Sequence, residues 1–283
     1  MTVLEAIQLG CARLEDAGVE SPRLNAEFLV GDVLRIHRLS LYLDSRLELT
    51  AEQTVAMEER LHRREAREPL QHILGTAEFF GRPFRVDRHV LVPRPETELL
   101  AEWALQTIDE AAVPSPVLLD FGTGSGCLAI TLALERIAAA VHAVDISAEA
   151  LAVAKGNAAT LGADAAFHLG DGFAALPKGL IFDGIVSNPP YIPSSDMAGL
   201  EPEVRDHDPR LALDGGEDGL GFYLRLAADA PRFLKAGGWL AVEFGDGQAA
   251  DLLKIFGDCP WSGAEVRKDD TGRERMLRVF CPA

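Results

Sequence analysis

Asn188-Pro189-Pro190-Tyr191 closes a short apolar run that ends at Val186-Ser187. Its two prolines forbid continuation of a strand and remove two backbone donors. What remains is a local excess of acceptors. A planar NH2 group can give one hydrogen to the Asn188 side-chain oxygen and the other to the Pro189 carbonyl while Tyr191 packs on its flat face. An amide nitrogen is a poor nucleophile because its lone pair is delocalised into the carbonyl, so orienting and partly polarising it is what a protein must supply. In-line alignment with an electrophile can lower the barrier by up to roughly 7–11 kcal/mol, which makes a dedicated general base dispensable. A plain strand terminator is the alternative for these four residues, and it leaves two further features unexplained.

The first is Asp120-Phe121-Gly122-Thr123-Gly124-Ser125-Gly126, which follows an apolar run and precedes a helical pattern. An open parallel sheet receives nucleotide-like ligands at that position, and glycines let the ligand approach the backbone. The spacing is G-x-G-x-G, not the G-x-G-x-x-G of dinucleotide sites, so a methionine-bearing adenosine fits better than a pyrophosphate. The second is Asp145, about 20 residues further on, where an acid accepts hydrogen bonds from ribose hydroxyls. Asp145 is otherwise a helix cap, a role open to Ser147 as well. Gly170-Asp171-Gly172-Phe173 places Asp171 and Phe173 where an adenine amino group and ring would be met, although Phe173 suits the core equally. Glu243, at the end of another apolar run, is the one candidate proton acceptor. Ser125 and Ser187 have no placed histidine partner, which argues against nucleophilic hydrolysis. The seven histidines share no ligand spacing with cysteines or carboxylates, so no metal site is expected.

The elements that must position these residues can be read from periodicity. From Val117 onward, apolar runs at 117–121, 139–145, 166–169, 182–188 and 239–244 alternate with helical stretches at 127–136, 148–161 and 220–234. Such alternation predicts crossover connections and a mostly parallel sheet covered on both faces, an α/β fold. Runs at 264–268 and 276–281, separated by Asp269-Asp270-Thr271-Gly272-Arg273, predict a terminal hairpin. Before Gly75 the spacing is helical instead: Leu4, Ile7, Cys11 and Leu14, then Leu24, Phe28, Leu29 and Val33. Ser21-Pro22 reads as a capped helix start, and Thr50 with Gln53 as a capping box. Between the two regions, Phe79 to Val86 surrounds a Gly-x-Pro turn and predicts a hairpin. The expected domains are thus a helical bundle at 1–75, a hairpin linker at 76–90 and the α/β domain at 91–283.

The chain has 283 residues, a formal net charge of −17 and 48% hydrophobic residues. Chains of this size bury roughly 75% of their unfolded surface, so a folded protein with a substantial core is expected. The charge repels phosphate backbones, which disfavours free DNA or RNA as a partner. Arg60, Arg63, Arg64 and Arg67 form the densest basic run and read as a solvated helix face. Four scattered cysteines with no C-x-x-C pair suit a reducing, cytoplasmic environment. No stretch reaches the ~18 apolar residues of a membrane span, and the first ten residues lack an export signal.

With these residues in view, the chain resembles a known family. Asn188-Pro189-Pro190-Tyr191 is similar to the signature of methyltransferases acting on planar nitrogen, at adenine N6 or glutamine N5. Arg67-x-Pro69-Leu70-Gln71-x-Ile73-Leu74-Gly75, Val92-Pro93-Arg94-Pro95-Glu96-Thr97-Glu98 and Pro209-Arg210-Leu211-Ala212-Leu213-Asp214-Gly215-Gly216-x-x-Gly219 resemble the peptide chain release factor glutamine methyltransferases, the HemK/PrmC family, and the likeness runs over nearly the whole chain. It implies a helical N-terminal domain, a hairpin linker and a Rossmann-like domain that uses S-adenosyl-L-methionine and releases S-adenosyl-L-homocysteine. It also implies that Gly122, Thr123, Gly124, Ser125, Gly126 and Asp145 bind the cofactor, as does Phe173, where many members carry tryptophan. Asn188 would face both cofactor and substrate; Pro189, Pro190 and Tyr191 would hold the glutamine of a Gly-Gly-Gln loop, with Arg94 and Glu96 on the site wall.

Two relatives of this chemistry compete. An adenine N6 methyltransferase would share the loop, the acid and the tetrapeptide, but residues 1–75 carry 9 basic and 13 acidic side chains, a balance of −4 where a nucleic-acid reader would be basic. A ribosomal-protein glutamine methyltransferase would change only the docking surface, and Pro95-Glu96-Thr97-Glu98 favours the release-factor branch. A non-catalytic adaptor is the reading from another class, disfavoured by the intact loop, acid and tetrapeptide.

Overall fold

The structure, a computed structural model, describes residues 1–43 and 45–282. In chain order its helices and strands are α1 (Val3–Asp16), α2 (Pro22–Leu34), α3 (Ala51–Glu65), α4 (Leu70–Leu74), β1 (Thr76–Phe79), β2 (Arg82–Arg85), α5 (Pro95–Ala111), β3 (Val117–Phe121), α6 (Cys127–Glu135) and β4 (Ala140–Asp145). They continue as α7 (Ala148–Leu161), β5 (Ala165–Leu169), β6 (Phe182–Ser187), α8 (Pro202–His207), α9 (Gly221–Asp229), β7 (Leu234–Glu243), α10 (Ala249–Gly257), β8 (Ser262–Lys268) and β9 (Glu274–Phe280). Two units emerge: Met1–Thr76 together with Glu201–His207, and Ala77–Leu200 together with Asp208–Ala283. The hairpin β1–β2 thus falls almost entirely in the second unit.

The helical unit packs around Leu14, Leu29, Leu41, Met57 and Leu61, all essentially buried, each contributing roughly 1.5–3 kcal/mol relative to exposure. Thr2 with Glu5 and Thr50 with Gln53 form reciprocal capping boxes on α1 and α3. Ser21 does not cap α2 as expected: it sits in the left-handed region at φ 49°, whereas a capping side chain needs an extended backbone. The expected apolar stripes also differ. Leu4, Leu24 and Phe28 are exposed, while Val3, Ala6 and Gly10 of α1 and Ala26 and Val30 of α2 turn inward. Small residues allow the close approach, since a Cβ on Gly10 would lie 3.1 Å from that of Ala26.

The basic run is not a solvated face. Arg64 is buried and donates to Asn25, to the Glu68 carbonyl and to Glu203 at 2.8 Å; Arg67 grips both oxygens of Glu203 at 2.7 Å. Arg60 pairs with Asp32 and Arg63 with Glu68. The two guanidiniums hold the Glu203 carboxyl down at about 2 against the opposing effect of burial. A sequence window cannot anticipate a partner more than 130 residues away.

In the second unit, seven strands run in the order β5-β4-β3-β6-β7-β9-β8, with β5 to β7 parallel and β9 and β8 antiparallel. Alternation along β3 sends Leu118 to one face and Leu119 to the other. One face packs against α5 and α6 through Leu100, Trp103 and Leu128; the other packs against α9 and α10 through Tyr223, Leu226 and Phe256. The apolar stretch of α10 is one for which the sequence pattern predicts no element. From β3 the chain crosses over to β4 on one side, while β6 lies on the other. A crevice therefore opens beyond the carboxyl ends of β3 and β6, the usual ligand position in such sheets. Among the described residues no helix is long and apolar enough to cross a membrane.

Candidate active site

That crevice is a cavity of about 220 Å³ within the second unit. Gly122, Thr123, Gly124 and Ser125 form its floor, and φ values of +79° at Gly122 and +54° at Gly124, with open space beyond each Cα, let backbone face the cavity directly. Gly126 lies outside the lining. A Cβ there would come within 2.9 Å of Ile130 and 3.1 Å of Ala154, so this glycine serves helix packing.

Asp120 holds the loop from beneath. It is fully buried, and its Oδ2 accepts from Thr123 Oγ1 at 2.6 Å and from the Ala129 amide at 3.1 Å. Its Oδ1 has no hydrogen-bond partner among the described residues. Burial pushes the carboxyl up to about 7, against the lowering effect of those bonds. Asp145, at the end of β4, accepts from the Gly124 amide at 2.8 Å and the Ser147 amide at 2.9 Å. Ser147 itself caps α7 through the Ala150 amide, so Asp145 is left to shape the loop and face the cavity.

Asp171 and Gly172 line the cavity beside Arg225 of α9, which pairs with the Asp171 carboxylate and donates to its carbonyl at 3.0 Å. Phe173 is elsewhere. It is buried in the core, stacked on Phe233 at 4.5 Å and tilted against Phe121 at 4.9 Å. Gly172 makes the separation possible: it turns at φ +56°, where a Cβ would lie 2.6 Å from the Phe121 ring.

At the end of β6, Asn188 and Pro190 line the cavity, Pro189 is buried behind them, and Tyr191 packs partly into the α9–α10 side of the core. Burial raises the Tyr191 hydroxyl above its ordinary value, which keeps it protonated. The segment is pinned along its backbone. Gln248 Nε2 donates to the Tyr191 carbonyl at 3.0 Å, and the Ile192 amide and carbonyl bond to Leu213 and Gly215. Gly215 and Gly219 press against this stretch: a Cβ on Gly219 would lie 2.3 Å from the Tyr191 carbonyl oxygen.

Asn188 has a defined partner. Its Nδ2 donates to Thr97 Oγ1 at 2.9 Å, and Thr97 Oγ1 donates to Glu243 Oε2 at 2.7 Å. Thr97 lines the cavity; Glu243 does not and is only 2% exposed. Burial pushes Glu243 up to about 7; Glu96 raises it further, whereas the Thr97 hydrogen bond, Arg275 and Arg94 oppose the rise. Arg94 lines the wall and pairs with buried Asp208 at 3.1 Å, while Glu96 is outside the lining. Sequence reasoning quoted Thr97 only as part of a motif and missed Leu128, Phe222 and Arg225 on the wall. Among the described residues no three His, Cys, Asp or Glu side chains gather as metal ligands.

The cavity thus brings the glycine loop and Asp145 together with Asn188 and Pro190 at the end of β6. The family described as PrmC N-terminal domain matches residues 5–75, and the Methyltransferase small domain matches residues 97–199. The chain is 43% identical to the release factor glutamine methyltransferase of Geobacter sulfurreducens, covering 93% of this chain and 91% of that one. It is 45% identical to the one from Rhodospirillum rubrum, covering 95% and 82%. A methyltransferase structure from Pyrococcus furiosus shares the fold, with a TM-score of 0.54 at 18% identity over 72% of this chain and 91% of that one.

Proposed function

The chain belongs to the release factor glutamine methyltransferase family, and from that premise we infer how its residues divide the work. It is an S-adenosylmethionine-dependent protein-glutamine methyltransferase acting on release factors, and S-adenosylmethionine supplies an electrophilic sulfonium methyl when bound. The residues present fit that cofactor. Open glycine backbone at 122 and 124 and the Asp145 carboxylate facing the cavity at the end of β4 are what a ribose-bearing ligand requires, while buried Asp120 holds the loop in that shape from beneath.

The cofactor falls to Gly122, Thr123, Gly124, Ser125, Asp145 and Asp171, with Gly126 and Phe173 supporting that wall from behind. Asn188 and Pro190 hold the acceptor amide, backed by Pro189 and Tyr191 and bordered by Arg94, with Glu96 outside the lining. The acceptor is N5 of the glutamine in the Gly-Gly-Gln loop of a release factor. The observation that carries this reading is that Asn188 and Pro190 at the strand end open on the same cavity as the glycine loop. Nucleic acid is a poor substrate candidate, because all four arginines of the densest basic run are occupied by carboxylates. The helical unit serves to recognise the release factor, since one small pocket cannot select a single glutamine among all cellular glutamines. A cytoplasmic setting suits such a substrate.

The test is tritiated methyl incorporation by the whole chain into an intact release factor, an isolated Gly-Gly-Gln peptide, a ribosomal protein and unmethylated DNA at equal concentrations. Labelling of the intact factor at that glutamine, well above the peptide, is expected. Preferential labelling of DNA or of ribosomal protein sinks the assignment, and equal labelling of peptide and factor removes the recognition role of the helical unit.

Asp145→Ala should raise the cofactor KM by tenfold or so while leaving saturated turnover within a few-fold, because a contact to a ribose is equally strong in ground and transition states. An unchanged cofactor KM would reduce Asp145 to a loop and helix-end device.

A further inference from the structure

A side-chain amide can turn either its oxygen or its NH2 toward a ligand, and the two faces are nearly isosteric. Binding the NH2 group of an amide substrate requires Asn188 to present Oδ1. Nothing in the asparagine itself makes that choice, so it must come from the neighbour that takes the other end. That neighbour is the Thr97 hydroxyl, which donates as readily as it accepts. Its direction is in turn set by whatever lies behind it.

We propose that Thr97 and Glu243 are positioning residues that fix the Asn188 amide with Oδ1 toward the acceptor nitrogen, and that Glu243 acts as the anchor of this relay, not as a base for the substrate. The proposal rests on the reading of Asn188 as the amide-binding residue. Three elements supply the relay: Asn188 stands at the end of β6, Thr97 in the first turn of α5 and Glu243 at the end of β7. The neighbouring residues Ser187 and Val242 are in register across β6 and β7. The Glu243 Oε2 accepts the Thr97 hydrogen at 2.7 Å. The hydroxyl lone pairs are thereby turned to Asn188, where only Nδ2 can donate, at 2.9 Å. Oδ1 is left as the amide atom available to the cavity. Glu243 is shut off from that cavity by Thr97, and Tyr223 fixes the strand end behind it by donating to the Glu243 carbonyl at 2.9 Å. A residue so placed reaches a substrate proton only through Thr97 and Asn188, and Asn188 has no proton to relay at Oδ1.

The ionisable groups that face Glu243 are Glu96, Arg94 and Arg275, together with the Tyr191 and Tyr223 hydroxyls and the Cys127 thiol, which its charge in turn raises. Ionised Glu243 can only accept from Thr97, and a protonated Glu243 keeps that direction only with its acidic hydrogen on Oε1.

The experiment measures kcat, cofactor Kd by calorimetry and melting temperature for Thr97→Val, Thr97→Ser and Glu243→Gln in the full chain. Valine keeps the shape and removes the hydroxyl, and turnover should fall by at least about tenfold with cofactor Kd within threefold. Serine restores the hydroxyl and should return turnover to within about threefold of the parent. Glutamine at 243 can donate as well as accept, so it permits the reversed relay and should lower turnover by a similar factor to valine. The kcat–pH profile of Thr97→Ser should match that of the parent. Parental turnover in a folded Thr97→Val protein overturns the proposal, as does equal impairment by valine and serine. Loss of the profile's acidic limb in Glu243→Gln, with Thr97→Val at full activity, overturns it in favour of direct proton transfer to Glu243. All effects are ratios to the parent on whichever amide it methylates. Failure of the parent to label any glutamine defeats the functional reading itself, while cofactor Kd and stability of the variants still report on the fold.

Discussion

Replacing Asn188 by alanine should reduce methyl transfer to a release factor by at least about 100-fold at saturating cofactor, with little change in melting temperature. The side chain is half-buried at a strand end and fills no core position, so its removal costs little packing. What disappears is the acceptor that orients the amide, together with the donor that Thr97 receives at 2.9 Å. Alignment of nucleophile, methyl carbon and sulfur is the main lever available where no base acts, and a misplacement near 1 Å can cost about 100-fold. Single-turnover rates with intact release factor are the measurement. A folded Asn188→Ala protein within tenfold of the parent would remove Asn188 from the chemistry.

Gly219→Ala should have the second largest effect, although residue 219 lines no part of the cavity. The added methyl would lie 2.3 Å from the Tyr191 carbonyl oxygen and 2.8 Å from Gln248 Nε2, the donor to that same carbonyl. Neither backbone nor staple can stay in place. The strand end must shift, carrying Pro190 and Asn188 with it, and turnover should fall by about 30-fold or more. Gly216→Ala supplies the control. Its φ of +94° imposes comparable backbone strain, on the order of 1–3 kcal/mol, yet nothing stands within 4 Å of the added atom. Equal turnover of the two variants would mean that backbone strain, not contact with Tyr191, governs the site.

The parts of this molecule legible in its sequence are those set by neighbours in the chain. Two successive prolines after an apolar run announce a strand end, and glycines at 122 and 124 between an apolar run and a helical pattern announce a turn of open backbone. The capping box at Thr50 is equally local. Features decided by distant partners stayed hidden: Arg64 meets Glu203 across 139 positions, Thr97 joins Glu243 across 146, and Gln248 reaches back 57 to Tyr191. Phe173 illustrates the same limit in reverse. Its aromatic ring suited either an adenine or the core, and only the turn at Gly172 and the rings of Phe121 and Phe233 decide which way it faces.

The helical unit takes in Glu201–His207, far along the chain from its other residues. It is therefore not a cassette that can be cut at one peptide bond. Removing residues 1–75 would strip a carboxylate of both guanidiniums that neutralise it. A chimera that exchanges this unit between relatives must exchange two stretches of sequence, or at least keep Arg64, Arg67 and Glu203 from one parent. Sequence changes at these three positions are thus coupled: reversing the charge at 203 is tolerable only when the arginines change with it.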